Sequence, residues 1–255
     1  MLRRIEQMYG FKLQATDGDI GSVEDFYFDP ETWELRYTVV MTGAGVTGRR
    51  VLISPEALHR PDWDAEIMRV SLTRQQVKDS PEVDLSTSVS AEELAELHAY
   101  YGWPWWSSPL LQTGPVGTPL LVPPPMAEEQ EPEDVESEDV EAPRLRSTRQ
   151  VSGYRIHATD GDIGHTVDFF MDTANWLFHY LLVDTGDWLP GRKVLVSTDW
   201  VEEIQRRGGR IRVDLEKEEV RDSPEYDFTG PVDREYETLM HQHYRRQGYW
   251  QRLGH

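Results

Sequence analysis

Four carboxylates recur in two copies. Asp17, Asp19, Asp25 and Asp29 sit near the start, and Asp160, Asp162, Asp168 and Asp172 sit beyond the middle. Carboxylates two residues apart could hold a hard cation through oxygen. A calcium loop needs oxygen ligands at alternating positions and a bidentate Glu. Here a hydrophobic strand pattern begins after the second Asp. The Asp-Gly steps at Asp17-Gly18 and Asp160-Gly161 are turn chemistry, so the carboxylates read as turn and cap residues. No metal or other cofactor is expected. Of the 8 His, only His98 and His241 occupy matching positions in the two copies. His157, His165 and His179 face Gln14, Ser22 and Arg36 instead. The chain has 0 Cys, which removes thiolate nucleophiles, thiolate metal sites and disulfides. Ser54 and Ser197 recur, but outside any G-x-S-x-G elbow, and no G-x-x-x-x-G-K-S/T loop occurs. The residues therefore point away from an enzyme.

A different chemistry is offered by Tyr100-Tyr101-Gly102-Trp103-Pro104-Trp105-Trp106. No Asp, Glu, Lys or Arg occurs from Leu97 to Ala127. Trp and Tyr favour interface hot spots and the membrane–water boundary. Trp103, Trp105 and Trp106, with Leu110, Leu111, Leu120 and Leu121, are thus candidate partner-binding residues. They could anchor the chain to a protein partner or a bilayer surface. The competing expectation is that this arm packs back on its own module. Gly248-Tyr249-Trp250 is a weaker echo near the other end. Arg206-Arg207-Gly208-Gly209-Arg210 is basic but set among Glu, and reads as a hairpin turn. Lys+Arg 26 against Asp+Glu 46 gives a net charge of −20, which argues against direct nucleic-acid binding.

The elements that must position these residues come from an internal repeat. Residues 11–43 align with 154–186 at an offset of 143 without a gap, and 15 of the 33 positions are identical, including all of ATDGDIG. The offset persists through Gly48–Ser54 against Gly191–Ser197, and through Asp79–Glu82 against Asp222–Glu225. Trp33, Leu35, Tyr37 and Val39 alternate, as do Trp176, Phe178, Tyr180 and Leu182, which predicts half-buried strands. Gly18 and Gly161 suit the turn, and Gly21 and Gly164 suggest a bulge or a close backbone approach. Thr73–Lys78 and Lys217–Arg221 read as short helices stopped by Pro81 and Pro224. Ser90-Ala91-Glu92-Glu93 is a capping box opening an amphipathic helix, matched by Asp233–Arg246.

Five or six short strands per module need their edges hidden, which favours a small closed barrel. Between the copies, residues 109–143 hold 8 of the 16 Pro, 9 acidic and no basic side chains. The organisation predicted is a first module over 1–108 with its terminal helix, a Pro-rich acidic extended linker over 109–146, and a second module over 147–255. The fold class is mainly β, two small barrels each followed by a short C-terminal helix. No signal-peptide pattern and no long apolar run is visible.

The order strand, DGDIG, aromatic strand, Trp-x-Leu/Phe-x-Tyr, Gly-x-x-x-Val-Leu-Ser and DSPE resembles the PRC-barrel domain. The resemblance covers residues 10–85 and 153–228. That family includes the cytoplasmic domain of the photosynthetic reaction-centre H subunit and the C-terminal domain of a ribosome maturation factor. The resemblance implies a non-catalytic docking module. It implies a peripheral subunit on the cytoplasmic side of a photosynthetic reaction centre, at the inner-membrane surface, with protein subunits of that complex as partners. The alternative it implies is a soluble ribosome or RNA-processing assembly factor that binds a ribosomal protein. The chain departs from both patterns: it shows neither an N-terminal membrane helix nor the preceding half of the maturation factor.

Overall fold

The computed structural model describes residues 2–43, 48–83, 85, 89–104, 145–186, 191–226 and 232–252. In the first module the strands are β1 (Leu2–Arg4), β2 (Lys12–Ala15), β3 (Gly18–Phe28), β4 (Leu35–Thr42), β5 (Arg50–Ile53) and β6 (Ile67–Arg69), followed by helices α1 (Arg74–Lys78) and α2 (Ala91–Tyr101). The second begins with β7 (Arg146–Ser147) and α3 (Thr148–Val151). It continues with β8 (Arg155–Ala158), β9 (Gly161–Asp172), β10 (Leu177–Asp184), β11 (Lys193–Ser197), β12 (Val201–Gln205), β13 (Arg210–Val213), α4 (Lys217–Arg221), α5 (Arg234–His243) and α6 (Tyr249–Arg252).

Each module is built on one mixed sheet. The first runs β5-β4-β3-β2-β6, with β2 and β6 parallel. The second runs β11-β10-β9-β8-β13-β12, with β8 and β13 parallel. The architecture is mainly β, as predicted, but neither sheet closes into a barrel. Between the ends β5 and β6 the chain makes a short 3-10 turn, Pro55–Ala57, and a single bridge joins Leu58 to Val70. An inner strand is completed from elsewhere in the chain. β2 pairs with β3 only over Gly18–Ser22, and Tyr27 and Phe28 of β3 are taken by β7, which enters from the second half of the chain.

The exchange is reciprocal. β1 leaves the first module and pairs with β9 of the second. Arg4 pairs with Phe170 and Arg3 with Met171, while Ser147 pairs with Tyr27 and Arg146 with Phe28. These are the same pairs shifted by the repeat offset, so the modules are related by an internal pseudo-two-fold axis. The axis passes between Glu34 and Leu177, which are repeat equivalents and form a β-bridge.

The turn glycines are explained locally. Gly18 and Gly161 follow their turns with φ of 138° and 137°, a region closed to L side chains. The register then slips between Leu13↔Gly21 and Gln14↔Asp19, leaving Ile20 as the bulged residue. A Cβ on Gly21 would lie 1.9 Å from the carbonyl oxygen of Met41, and one on Gly164 2.0 Å from that of Asp184. Backbone therefore approaches backbone where a side chain cannot fit.

The helices start at the residues the sequence marks. Ser90 and Glu93 form the reciprocal cap of α2, and Asp233 caps α5. Helix α2 lays Leu94 and Leu97 against Tyr37, Val39 and Leu52 on the outer face of its own sheet. Among the described residues no helix is long and apolar enough to cross a membrane.

Candidate functional site

A dense set of buried polar groups lies where the modules meet. Asp25, 8% exposed, stands on β3 and receives the arm that begins at β7. Its Oδ1 accepts from the Thr148 hydroxyl at 2.8 Å, the Arg149 N–H at 3.2 Å and its own neighbour Phe26 N–H at 2.8 Å. Its Oδ2 accepts from the Ser147 hydroxyl. Asp168, its repeat equivalent, does the same for the N-terminal arm. Oδ1 accepts from the Glu6 N–H at 3.1 Å and the Phe169 N–H at 2.8 Å, and Oδ2 pairs with Arg4 Nε at 2.8 Å. Burial pushes the Asp168 carboxyl above its usual range, against the pull of these donors and the Arg4 charge. Tyr9 completes the first clamp. Its hydroxyl meets Thr148 Oγ1 at 2.9 Å, and the Arg149 guanidinium lies 4.3 Å over its ring.

At the axis two backbone bonds cross between the sheets. Leu35 N–H donates to the Trp176 carbonyl and Phe178 N–H to the Trp33 carbonyl, both at 2.9 Å. The two tryptophans hold φ of 60° and 58°, the left-handed region that bulky residues rarely enter. The turn preceding each one sets this geometry. Trp33 N–H returns to the Asp29 carbonyl, and Trp176 N–H to that of Asp172, both at 2.8 Å. Under the axis Phe28 stacks on Trp33 at 5.1 Å and meets Phe169 and Phe178 at 5.8 and 5.3 Å, so one aromatic core serves both modules.

A cleft of about 570 Å³ opens at the rim of this junction, between the turn at Glu31–Trp33 and the second module's His179, Asp199 and Tyr249. His179 is 3% exposed and stacks on Tyr249 at 3.6 Å. Burial holds its imidazole well below the usual value, at about 4.

The repeated histidines fasten the C-terminal helices. His98 Nδ1 donates to the Pro104 carbonyl at 2.9 Å, which leaves Nε2 of the neutral ring to accept from the Tyr37 hydroxyl at 2.6 Å. Burial depresses the His98 pKa, consistent with that neutral form. In the second copy Tyr180 donates to Glu237 at 2.8 Å and lies 3.1 Å from His241 Nε2, while Glu237 also pairs with Arg234 at 3.1 Å. Burial raises the Glu237 pKa. Leu94 holds the Glu237 position in the first copy, so the charged member is particular to the second.

The residues singled out in the sequence fall as follows. Asp17 and Asp160 accept from the Arg74 and Lys217 N–H groups at 2.7 and 2.9 Å, tying each turn to the first residue of a helix 57 positions on. Asp29 accepts from the N–H groups of Glu31 and Thr32 in its own turn. Asp162 pairs with His157 at 2.7 Å. Among the described residues no three His, Asp or Glu gather as a metal-holding group. Trp103 stacks on Tyr101 at 4.1 Å and is half-buried against its own module. Trp105, Trp106, Leu110, Leu111, Leu120 and Leu121 lie outside the described residues, as does nearly all of the linker. The echo at Tyr249-Trp250 packs inward: Trp250 meets His241 at 5.0 Å, and the Arg234 guanidinium lies 4.1 Å over its ring.

The sequence reading missed the two arms. A signal was present: at the same offset Leu2, Arg3, Gln7 and Gly10 match Leu145, Arg146, Gln150 and Gly153, so the repeat begins ahead of residue 11. No known family model matches the chain, and no curated protein matches it.

Proposed function

We propose that the protein is a non-catalytic scaffold, a pair of open-sheet modules that resemble the PRC-barrel domain in sequence and act as a peripheral subunit of a larger complex. One observation carries this reading: the polar side chains that could do chemistry hold elements together. Asp25 and Asp168 clamp the arms, Asp17 and Asp160 tie turns to helices, and the Tyr–His pairs fasten α2 and α5. The docking element is the uncharged run after α2, through Trp105, Trp106, Leu110, Leu111, Leu120 and Leu121. Trp103 serves as its root on the module, because its ring is stacked on Tyr101. The motif resemblance favours as host a photosynthetic reaction centre, engaged from its cytoplasmic side. In a chain of net charge −20, a run free of Asp, Glu, Lys and Arg from Leu97 to Ala127 favours an apolar contact over a charged one.

The test is retention of the purified chain on isolated reaction-centre complex, with ribosomal subunits run in parallel. Wild type should co-sediment with the reaction centre. A Trp105→Ala/Trp106→Ala variant spares Trp103 and the module. Anchoring tryptophans are worth about 2–4 kcal/mol each, so retention should fall at least a hundredfold. Retention on ribosomal subunits alone would move the protein to assembly work. Equal retention of the variant would remove the Trp run from the interface.

A further inference from the structure

We infer that the junction between the modules is a self-recognition surface, and that the partner it fits is a second copy of this chain, in a closed dimer whose molecules trade modules. The two halves of the chain are equivalent at this junction. Each half presents the same three devices: a strand edge that accepts an arm, a buried Asp that clamps the arm's first turn, and a left-handed Trp whose carbonyl accepts across the axis. Each half also supplies the arm, donor and aromatic face that its neighbour needs. The arms pair at the same register, and the N–H groups of Glu6 and Arg149 reach their Asp at 3.1 and 3.2 Å.

None of these contacts depends on the two modules belonging to one polypeptide. The first module of one molecule and the second of another would form every one of them unchanged. Two such junctions close a two-fold dimer and leave no arm unpaired, which is the condition for finite assembly. The covalent path permits it. The 40 residues of 105–144 can extend to about 140 Å at most, well beyond the width of a module of this size. Connection through such a segment acts as an effective concentration on the order of millimolar. The internal pairing therefore wins in dilute solution, and the exchanged pairing competes once the chain itself is that concentrated, as it becomes when crowded on a host assembly.

The absence of Cys makes the junction straightforward to trap. Glu34 and Leu177 face each other across the axis in an antiparallel bridge, a spacing suited to a disulfide. Full-length Glu34→Cys and Leu177→Cys chains are made separately, mixed, unfolded and refolded together at about 1 mM and at about 1 μM, the first matching the effective concentration and the second far below it. Each is then oxidised. The mixture at the higher concentration should give at least tenfold more covalent dimer than either single variant alone or the dilute mixture. Wild type refolded at the higher concentration should sediment partly at twice the monomer mass and relax on dilution and reheating. A covalent yield in the mixture no higher than in the single variants, or wild type that remains wholly monomeric, overturns the inference. If either variant fails to refold, the wild-type sedimentation decides.

Discussion

Replacing Asp25 with Ala should weaken the whole chain, not one module. The carboxylate serves four donors: the hydroxyls of Ser147 and Thr148 and the N–H groups of Phe26 and Arg149. The hydroxyls can rotate toward other acceptors, and Thr148 keeps Tyr9 within 2.9 Å. The two backbone donors are fixed. A buried donor left unsatisfied costs about 1–3 kcal/mol, and the Arg149 N–H is only partly buried, so the loss should be about 1–4 kcal/mol, a large part of the 5–15 kcal/mol typical of a folded domain. Urea denaturation followed by tryptophan fluorescence and far-UV circular dichroism should show both signals moving together to a lower midpoint. Amide exchange should show the same loss of protection in β4 and β10, because the arm held by Asp25 belongs to the second module. Asp25→Asn keeps one acceptor oxygen and should recover part of the loss. A change below about 1 kcal/mol, or a loss confined to β2–β6, would refute the clamp as a joint element.

His179 should give the fold a pH dependence of known sign. Its folded pKa is depressed to about 4 from 6.5, so the unfolded chain binds the proton first; this stability is present above pH 6.5 and is lost as pH falls through about 4. The loss should approach about 3 kcal/mol, and His179→Gln should flatten the profile across that window in paired denaturation curves. Asp168 and Glu237 have raised pKa values and act with the opposite sign, but they are common to both proteins, so the difference isolates His179. Gly21→Ala and Gly164→Ala should each destabilise by about 1–3 kcal/mol or more, because the new methyl meets a carbonyl oxygen at 1.9 or 2.0 Å. Gly10→Ala is the control, since its Cβ meets nothing within 4 Å and carries only the conformational cost of φ 85°. Calorimetric midpoints for the three should order accordingly.

Local chemistry was legible in the sequence, and long-range pairing was not. Asp-Gly turns, the bulge glycines, the capping box at Ser90 and the alternation of Leu35, Tyr37 and Val39 are read from neighbours a few residues apart, and the chain builds them as written. Closure of the sheets does not follow from their short strands; they stay open, and arms from the other half complete only the parts of β3 and β9 that β2 and β8 leave unpaired. Nothing local marks Leu2–Arg4 or Arg146–Ser147 as strands, because each is two or three residues long and forms only against its distant partner. Asp25 was visible as a recurring carboxylate within a hydrophobic strand. Its role was not, because three of its four donors lie more than 120 residues away. Trp33 and Trp176 looked like the first residues of alternating strands. Their left-handed backbone is imposed by the turn before them and becomes useful only when a second module lies opposite.

The two modules form one body through a shared axis. Amide hydrogen exchange at Leu35 and Phe178 tests this most directly, because their N–H groups donate across that axis, to the carbonyls of Trp176 and Trp33. Both amides should exchange only through global unfolding, with the same free energy and denaturant dependence as the interiors of β4 and β10. Exchange of either amide at loop-like rates, while those strand interiors stay protected, would show that the modules part without unfolding and would contradict the account.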